Sequence, residues 1–129
     1  MAGRTLSRRT ALGQRAEQLA ADHLEKLGYE IVVRNWRRPE GEIDLVVDKA
    51  GLCVFVEVRS RTGIERGHAL ETIDGRKRAR VLRAARMFIN EEQPAAAAFR
   101  FDVVAVTFSP DQTAPELIHI EDAFQTSSG

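Results

Sequence analysis

At 129 residues the chain has the length of a single domain, and 43% hydrophobic with 29% charged residues is an ordinary globular composition. Its one cysteine, Cys53, excludes an intramolecular disulfide, and no cysteine spacing typical of a metal site occurs, so we expect a reducing, cytoplasmic setting. No apolar run approaches the ~18 residues of a membrane span, so we expect no membrane partner.

The N-terminal third predicts a basic arm, a helix, a strand and a turn. Residues 1–12 contain a pair of arginines, but polar residues follow where an export signal has its apolar segment, so they are interpreted as a mobile arm. Residues 10–27 carry leucine and alanine at helical spacing, and Gly28 after them is a C-cap signal. Residues 29–36 read as a strand and residues 37–41 as a turn.

The rest of the chain alternates strands with one more helix. The predicted elements are strands at 41–47 and 54–61 with a hairpin loop at 48–51, a loop at 63–67, a helix at 75–91 capped by Asp74, and strands at 99–108 and 115–120. The order α-β-β-β-α-β-β predicts an α+β (α/β) fold with a mixed sheet flanked by helices. One domain covers residues 13–124, and residues 125–129 form a polar tail.

The two hairpin strands each carry an acid in apolar company, Asp44 and Glu57. Carboxylates are almost never fully buried without a partner. Strand alternation places Arg59 on the same face as Glu57, ~7 Å along the strand, and Asp44 lies beside Glu57 if the register permits. Such oxygen ligands suit a hard cation such as Mg²⁺. From spacing alone, a structural ion pair and a metal site are equally open interpretations.

Two helical residues lie at the margin of an apolar stripe. At 100° per residue Glu17 falls beside Leu24 on the first helix, where it can reach over the sheet, although a solvated helix residue is the alternative. On the second helix Lys77 falls at the edge of the stripe, from which it can point back towards the sheet.

The charge is zero overall but unevenly distributed. Residues 1–86 hold 18 of the 19 Lys and Arg and 12 of the 19 acids, which gives them a formal charge of +6 and the remainder −6. Such asymmetry hints at a side that faces a polyanion. A solvated helix face is the usual explanation of an arginine run, and phosphate contact is the alternative. The candidate nucleic-acid contacts are Arg37, Arg61, Arg76, Arg80 and Arg83.

Several other residues have a plainer interpretation. Asp102 is predicted to pair with an arginine or a lysine, and His23 to pack within the apolar stripe of the first helix. Trp36 is interpreted as a packing residue, with stacking on a base as the alternative. His68 and His119 show no metal-ligand spacing and receive no role.

Six motifs in order resemble the YraN family over residues 13–124, nearly the whole chain. They are Asn35-Trp36-Arg37, Gly41-Glu42-Ile43-Asp44-Leu45, Phe55-Val56-Glu57-Val58-Arg59, Arg76-Lys77, Arg100-Phe101-Asp102-Val103-Val104 and Ala123-Phe124. A hairpin Asp…Glu-x-Lys with a glutamate from the preceding helix is the site pattern of the restriction-endonuclease-like PD-(D/E)xK nucleases. The YraN proteins are also similar to archaeal Holliday-junction resolvases.

The resemblance implies a restriction-endonuclease-like fold and a nuclease site. Asp44 and Glu57 would be metal ligands with Glu17 as an accessory ligand, and Lys77 is the residue that would compensate for a missing lysine. The implied activity is Mg²⁺- or Mn²⁺-dependent cleavage of structured or branched DNA, with a suggested homodimer and no small-molecule cofactor. Arg59 stands where the superfamily usually has lysine. Arginine cannot act as a base, but it can orient water and offset charge on the phosphorus, so Arg59 is retained as a catalytic candidate. A non-catalytic nucleic-acid-binding module with a degenerate site is therefore the alternative.

Overall fold

Seven elements follow one another in the order that the sequence predicts. The computed structural model describes residues 10–62, 75–111 and 114–124. Its elements are α1 (Ala11–Lys26), β1 (Glu30–Arg38), β2 (Gly41–Lys49), β3 (Leu52–Thr62), α2 (Gly75–Glu92), β4 (Ala98–Phe108) and β5 (Glu116–Ile120). The α+β class is thereby confirmed. The predicted loop at 63–67, the Asp74 cap, the polar tail and most of the basic arm lie outside the described residues.

One mixed sheet carries all five strands in the order β1-β2-β3-β4-β5. The β3–β4 pair is parallel, and the other three pairs are antiparallel. A parallel pair requires a crossover connection, and α2 lies within it between β3 and β4. The helix and the long connection therefore follow directly from the one parallel pairing.

The first helix begins and ends at local signals in the sequence. The Thr10 side chain accepts a hydrogen bond of 2.9 Å from the Gly13 N–H, which satisfies one of the free donors of the first turn. Gly28, after the helix, has a φ of 99°, which a glycine adopts without strain. Because α1 begins at Ala11, residues 11 and 12 belong to the helix as well as to the predicted arm.

The hairpin turns are shorter than predicted. β1 continues to Arg38, so only residues 39 and 40 separate it from β2. Between β2 and β3 the turn consists of Ala50 and Gly51, with φ of 51° and 82°. Two successive positive φ angles match the right-handed twist of the strands, which lets the ladder extend almost to the tip of the hairpin.

The sheet buries both faces, one under each helix. On the first face α1 packs through Ala16, Ala20, Ala21 and Leu24 against strand residues that include Val54, Val56 and Val104. On the second face α2 packs through Val81, Ala84, Ala85 and Phe88 against residues that include Cys53, Phe55 and Phe101. The alternation along β3 continues past this core, so Glu57 belongs to the face that α2 covers.

A glycine brings α2 close to the start of β2. A Cβ atom added at Gly41 would fall against the backbone carbonyl of Arg80 and within 3.4 Å of the Ala84 side chain. Only glycine permits this approach, since the obstruction is backbone. The contact fixes the height of α2 above the sheet one turn after Lys77. Within the described residues, neither helix is long and apolar enough to cross a membrane.

Candidate active site at the open end of the β2–β3 hairpin

Asp44 lies where the regular β2–β3 ladder stops. Strand pairing runs from Lys49 opposite Leu52 to Leu45 opposite Val56. One residue further, Asp44 Oδ2 accepts a hydrogen bond of 2.8 Å from the backbone N–H of Val58. The carboxylate thus takes the place of a strand carbonyl, and its side chain is held against β3 with only 8% of its surface exposed.

A change of face in both neighbouring strands explains this orientation. In a regular strand Ile43 and Leu45 would share a face, but they pack in the cores on opposite sides of the sheet. On β1 the same change occurs around Asn35, which lies across from Asp44 and has a φ of 53°. Asparagine tolerates this left-handed conformation better than most residues. Asn35 belongs to one of the sequence motifs, but no signal in the sequence predicts this role.

Glu57 and Lys77 form an ion pair that joins the sheet to α2. Lys77 Nζ lies 2.8 Å from Glu57 Oε2, and the Glu57 side chain is 5% exposed against 32% for Lys77. Lys77 therefore points back to the sheet, as its helical position predicts. Arg59 follows two residues later on the same face of β3 and is half-buried. The catalytic roles predicted for these residues stay predictions.

The electrostatics of the site are those of crowded acids. The pKa of Asp44 is raised well above its usual value, first by burial and then by the charge of Glu57. The hydrogen bond from Val58 opposes this rise, whereas the charges of Glu17 and Glu42 add to it. Glu17 is thus near enough to act on Asp44 electrostatically. A cation between the acids would relieve this repulsion.

The donor set fits a magnesium-type ion through two side chains. Among the described residues, no group of three or more His, Cys, Asp and Glu side chains is placed to hold a metal. Glu17, Asp44 and Glu57 therefore do not form a complete protein cage, and the accessory role of Glu17 stays a prediction. Mg²⁺ is usually bound by one or two carboxylates, with water and phosphate oxygens supplying the other ligands. Asp44 and Glu57 meet that requirement.

The predicted phosphate contacts divide into two groups. Arg76, Arg80 and Arg83 are exposed along α2, and Arg61 is half-buried near the end of β3. Arg37 is engaged within the protein instead, since its Nε lies 3.4 Å from Glu42 Oε1, in an ion pair too poorly aligned to count as a hydrogen bond.

Trp36 is buried and packs edge-on against Phe88. The Arg38 guanidinium covers the Trp36 ring at 4.0 Å from the centroid. Since the ring is buried in this way, the prediction that Trp36 is a packing residue is confirmed, and its ring is not displayed for base stacking.

A second buried acid, Asp102, lies on the α1 face of the sheet. Arg100 donates to both its carboxylate oxygens at 2.8 Å, which confirms the predicted arginine partner. His119 Nε2 donates at 2.8 Å and the backbone N–H of Asp122 at 3.0 Å. Burial alone would raise the pKa of Asp102, but these hydrogen bonds outweigh it and lower the pKa to about 2.

His119 was missed from the sequence. It lies on β5, and its other ring nitrogen is 3.0 Å from His23 Nε2 on α1. Because a carboxylate only accepts, His119 donates to Asp102 through Nε2, and the direction of its hydrogen bond with His23 depends on the tautomers of the two rings. The two rings meet edge to face, so His23 packs against a ring as well as an apolar stripe. No spacing signal marks this pair, because 96 residues separate its members.

Fold and site together define a small α+β protein with two acids buried at the open end of a hairpin and a lysine brought to them by the crossover helix. The uncharacterised protein family UPF0102 matches residues 16–106. A UPF0102 protein of Pelotomaculum thermopropionicum is 44% identical over 116 residues, which are 90% of this chain and 97% of the relative. Those of Frankia casuarinae and Pseudomonas aeruginosa strain LESB58 are 45% and 44% identical, over 88% and 87% of this chain and 96% and 90% of the relative. The chain belongs to the UPF0102 family, to which the YraN-type motifs point.

Proposed function

We propose that the protein is a metal-dependent endonuclease that hydrolyses phosphodiester bonds in structured or branched DNA. The proposal rests on one observation: Asp44 and Glu57 are both buried at the open end of one hairpin, and the pKa of Asp44 is raised first by burial and then by the charge of Glu57. A fold gains nothing in stability from two adjacent buried acids, so the arrangement points to a cation that both of them bind. The nuclease-like order of the site residues in the sequence supports the same reaction.

In the proposed reaction a water oxygen attacks phosphorus, and a bridging P–O bond of the backbone breaks. The attacking water loses a proton to solvent, and the leaving oxygen gains one from solvent. Asp44 and Glu57 would hold Mg²⁺ or Mn²⁺, which would supply activation of water and neutralisation of phosphate charge. No small-molecule cofactor takes part.

The two cations of the site, Arg59 and Lys77, are proposed to stabilise charge on the reacting phosphate. Arg59 stays protonated at any physiological pH, so it does not accept the proton of water. It can stabilise the charge that develops on the phosphate oxygens, and Lys77, 2.8 Å from Glu57, can do the same from α2. Glu17 is proposed to assist as an outer acid, in keeping with its effect on the pKa of Asp44.

The exposed arginines of α2 are proposed to bind the DNA backbone. Arg76, Arg80 and Arg83 lie at i, i+4 and i+7 on the helix whose first turn carries Lys77. Binding through such contacts weakens steeply with salt. Symmetric cleavage of two strands requires two sites, so a homodimer is part of the proposal. The buried cysteine suits a reducing, cytoplasmic setting.

A non-catalytic nucleic-acid-binding module is the second candidate, and Arg59 in place of lysine is the observation that favours it. It predicts salt-sensitive binding with no cleavage at any metal concentration. An arginine at this position slows but does not abolish a reaction in which its task is charge stabilisation, so we place the enzyme first.

One assay separates the two candidates. Four-way junction, flap, single-stranded and duplex DNA are incubated with Mg²⁺ or Mn²⁺ and with wild type, Asp44→Ala or Arg59→Lys. Asp48→Asn is the matched control, since it removes an acid from the same strand at a distance from Glu57. We expect cleavage by wild type and Asp48→Asn, loss of cleavage but not of binding in Asp44→Ala, and a gain of rate in Arg59→Lys. Absence of cleavage by wild type and Arg59→Lys on every substrate would exclude the enzyme.

A further inference from the structure

Lys77 occupies the carboxylate that the proposed metal also requires. Its Nζ is 2.8 Å from Glu57 Oε2, and the Glu57 side chain is only 5% exposed. A divalent ion bound to that oxygen would stand within a few ångströms of the ammonium, where two positive charges repel strongly in a poorly solvated site. Metal binding at Oε2 and the ion pair with Lys77 therefore weaken each other.

We propose that Lys77 competes with the metal ion for Glu57. In the metal-free protein the ammonium of Lys77 neutralises Glu57, and metal uptake drives Lys77 off this carboxylate towards the position of the substrate phosphate. The inference rests on the proposed function, because it concerns regulation of the same site. Lys77 thus neutralises Glu57 and reduces the repulsion between Glu57 and Asp44 until a metal ion binds.

The two members of the Lys77–Glu57 pair differ in mobility, as such an exchange of partners requires. Glu57 is fixed within β3, where its neighbours pair with β4 on one side and β2 on the other. Lys77 is 32% exposed, and a lysine carries a compact charge on a flexible four-carbon stem. The ammonium can leave Glu57 by rotation of the side chain while the carboxylate remains in place.

The backbone beneath Lys77 does not need to move. Gly41 holds α2 against the start of β2 through its contact with the Arg80 carbonyl, one turn after Lys77. The exchange is thus a change of side-chain partner on a fixed helix. Asp44 does not take part in it, because its hydrogen bond comes from the neutral Val58 N–H, which a metal on its other oxygen leaves intact.

The first test uses the wild-type protein without DNA. The chain has three lysines, Lys26, Lys49 and Lys77, so a lysine-selective ¹³Cε NMR spectrum contains three side-chain signals. The signals of Lys26 and Lys49 are assigned from the Lys26→Met and Lys49→Met variants, and the remaining signal is that of Lys77. On titration with Mg²⁺ we expect the Lys77 signal to shift with the saturation of the site, while those of Lys26 and Lys49 stay in place. A Lys77 signal that does not move at saturating Mg²⁺ would overturn the proposal.

The second test is calorimetric titration with Mn²⁺, again without DNA. Loss of the competing cation should make Lys77→Met bind Mn²⁺ ~10-fold more tightly than wild type. Lys26→Met, which removes an exposed charge at the far end of α1, should bind as wild type does. Unchanged or weaker binding by Lys77→Met would contradict the competition.

Two acid variants separate failure of this inference from failure of the proposed function. If Asp44→Asn and Glu57→Gln abolish Mn²⁺ binding while Lys77→Met leaves it unchanged, only the competition is wrong. If neither acid variant changes the affinity for Mn²⁺ and Lys77→Met does not bind Mn²⁺ more tightly, the acids are not a metal site and both proposals fail. Far-UV circular dichroism verifies that each variant is folded. The wild-type NMR titration can be interpreted even if the variants at the site do not fold.

Discussion

Asp44 and Asp102 are both buried on neighbouring parts of one sheet, yet their surroundings are opposite. Asp102 receives two hydrogen bonds from Arg100, one from His119 and one from the Asp122 N–H, and its pKa falls to about 2. Asp44 accepts one from Val58, and its pKa is raised first by burial and then by the charges of neighbouring acids, of which Glu57 is the largest contributor. A buried acid that stabilises a fold is paired with a cation, as Asp102 is with Arg100. An acid left in like-charged company receives no such stabilisation, which is the contrast behind our proposal that Asp44 binds a cation.

The largest expected change in the free energy of unfolding follows from the substitution of Asp102. Asp102→Asn leaves the Arg100 guanidinium without its bidentate partner in a mostly buried position. We expect the free energy of unfolding to fall by about 3–5 kcal/mol, the usual cost of breaking a buried pair. Urea denaturation at pH 7 measures it. A loss below ~1 kcal/mol would mean that Asp102 is no more structural than Asp44.

Lowering the pH should reduce the contribution of Asp102 to the free energy of unfolding. The folded pKa of about 2 is below the ordinary value of 3.8, so the ionised form is favoured by folding. Its contribution, about 2–3 kcal/mol, is present above pH 4 and is lost as the pH falls from 4 to 2. We expect the gap in unfolding free energy between wild type and Asp102→Asn to narrow over this window. A gap that stays constant would contradict the assignment.

The third prediction tests whether the acid site depends on the docking of α2. In Gly41→Ala the new methyl group meets the Arg80 carbonyl, and backbone cannot yield as a side chain does. We expect a loss of about 1–3 kcal/mol in unfolding free energy from overpacking, together with weaker Mn²⁺ binding as α2 shifts. The matched control is Gly75→Ala at the start of the same helix, where a Cβ meets open space and unfolding free energy should hold or rise slightly.

The smallest effect, and the one of opposite sign, is expected for Asp44. Asp44→Asn keeps an oxygen that accepts from Val58 while it removes a charge that burial and Glu57 both disfavour. We expect the unfolding free energy at pH 7 to rise by up to about 1 kcal/mol. The gain should shrink as the pH falls towards the ordinary pKa of an aspartate, because a raised folded pKa costs stability only at pH values at which Asp44 ionises in the unfolded chain. A clear destabilisation at pH 7 would place Asp44 with Asp102 as a structural acid.

The sequence predicted the fold better than the site. Periodicity and turn chemistry are local, so α1, α2 and all five strands were predicted, with errors of a few residues at turns such as Ala50–Gly51. The reach of Lys77 to the sheet was also predictable, because a residue at the edge of a helical stripe has few directions to point in.

What the sequence could not reveal was the change of face at Asn35 and Asp44. Regular alternation assumes that a strand stays flat, and here two paired strands break the rule together. The environment of Asp102 was predictable only in part for a related reason. Arg100 is two residues away on the same strand face, whereas His119 reaches Asp102 through a strand pairing that no local pattern encodes.

The position of both acids on one hairpin has a consequence for the order of folding. β2 and β3 are joined by two residues, and hairpins of this kind close within microseconds. The parallel β3–β4 pair must wait for the whole crossover segment to find its place, because loop-closure entropy delays non-local pairing. We therefore expect Asp44 and Glu57 to meet before α2 delivers Lys77, so that their repulsion opposes the hairpin at a stage when only solvent screens it.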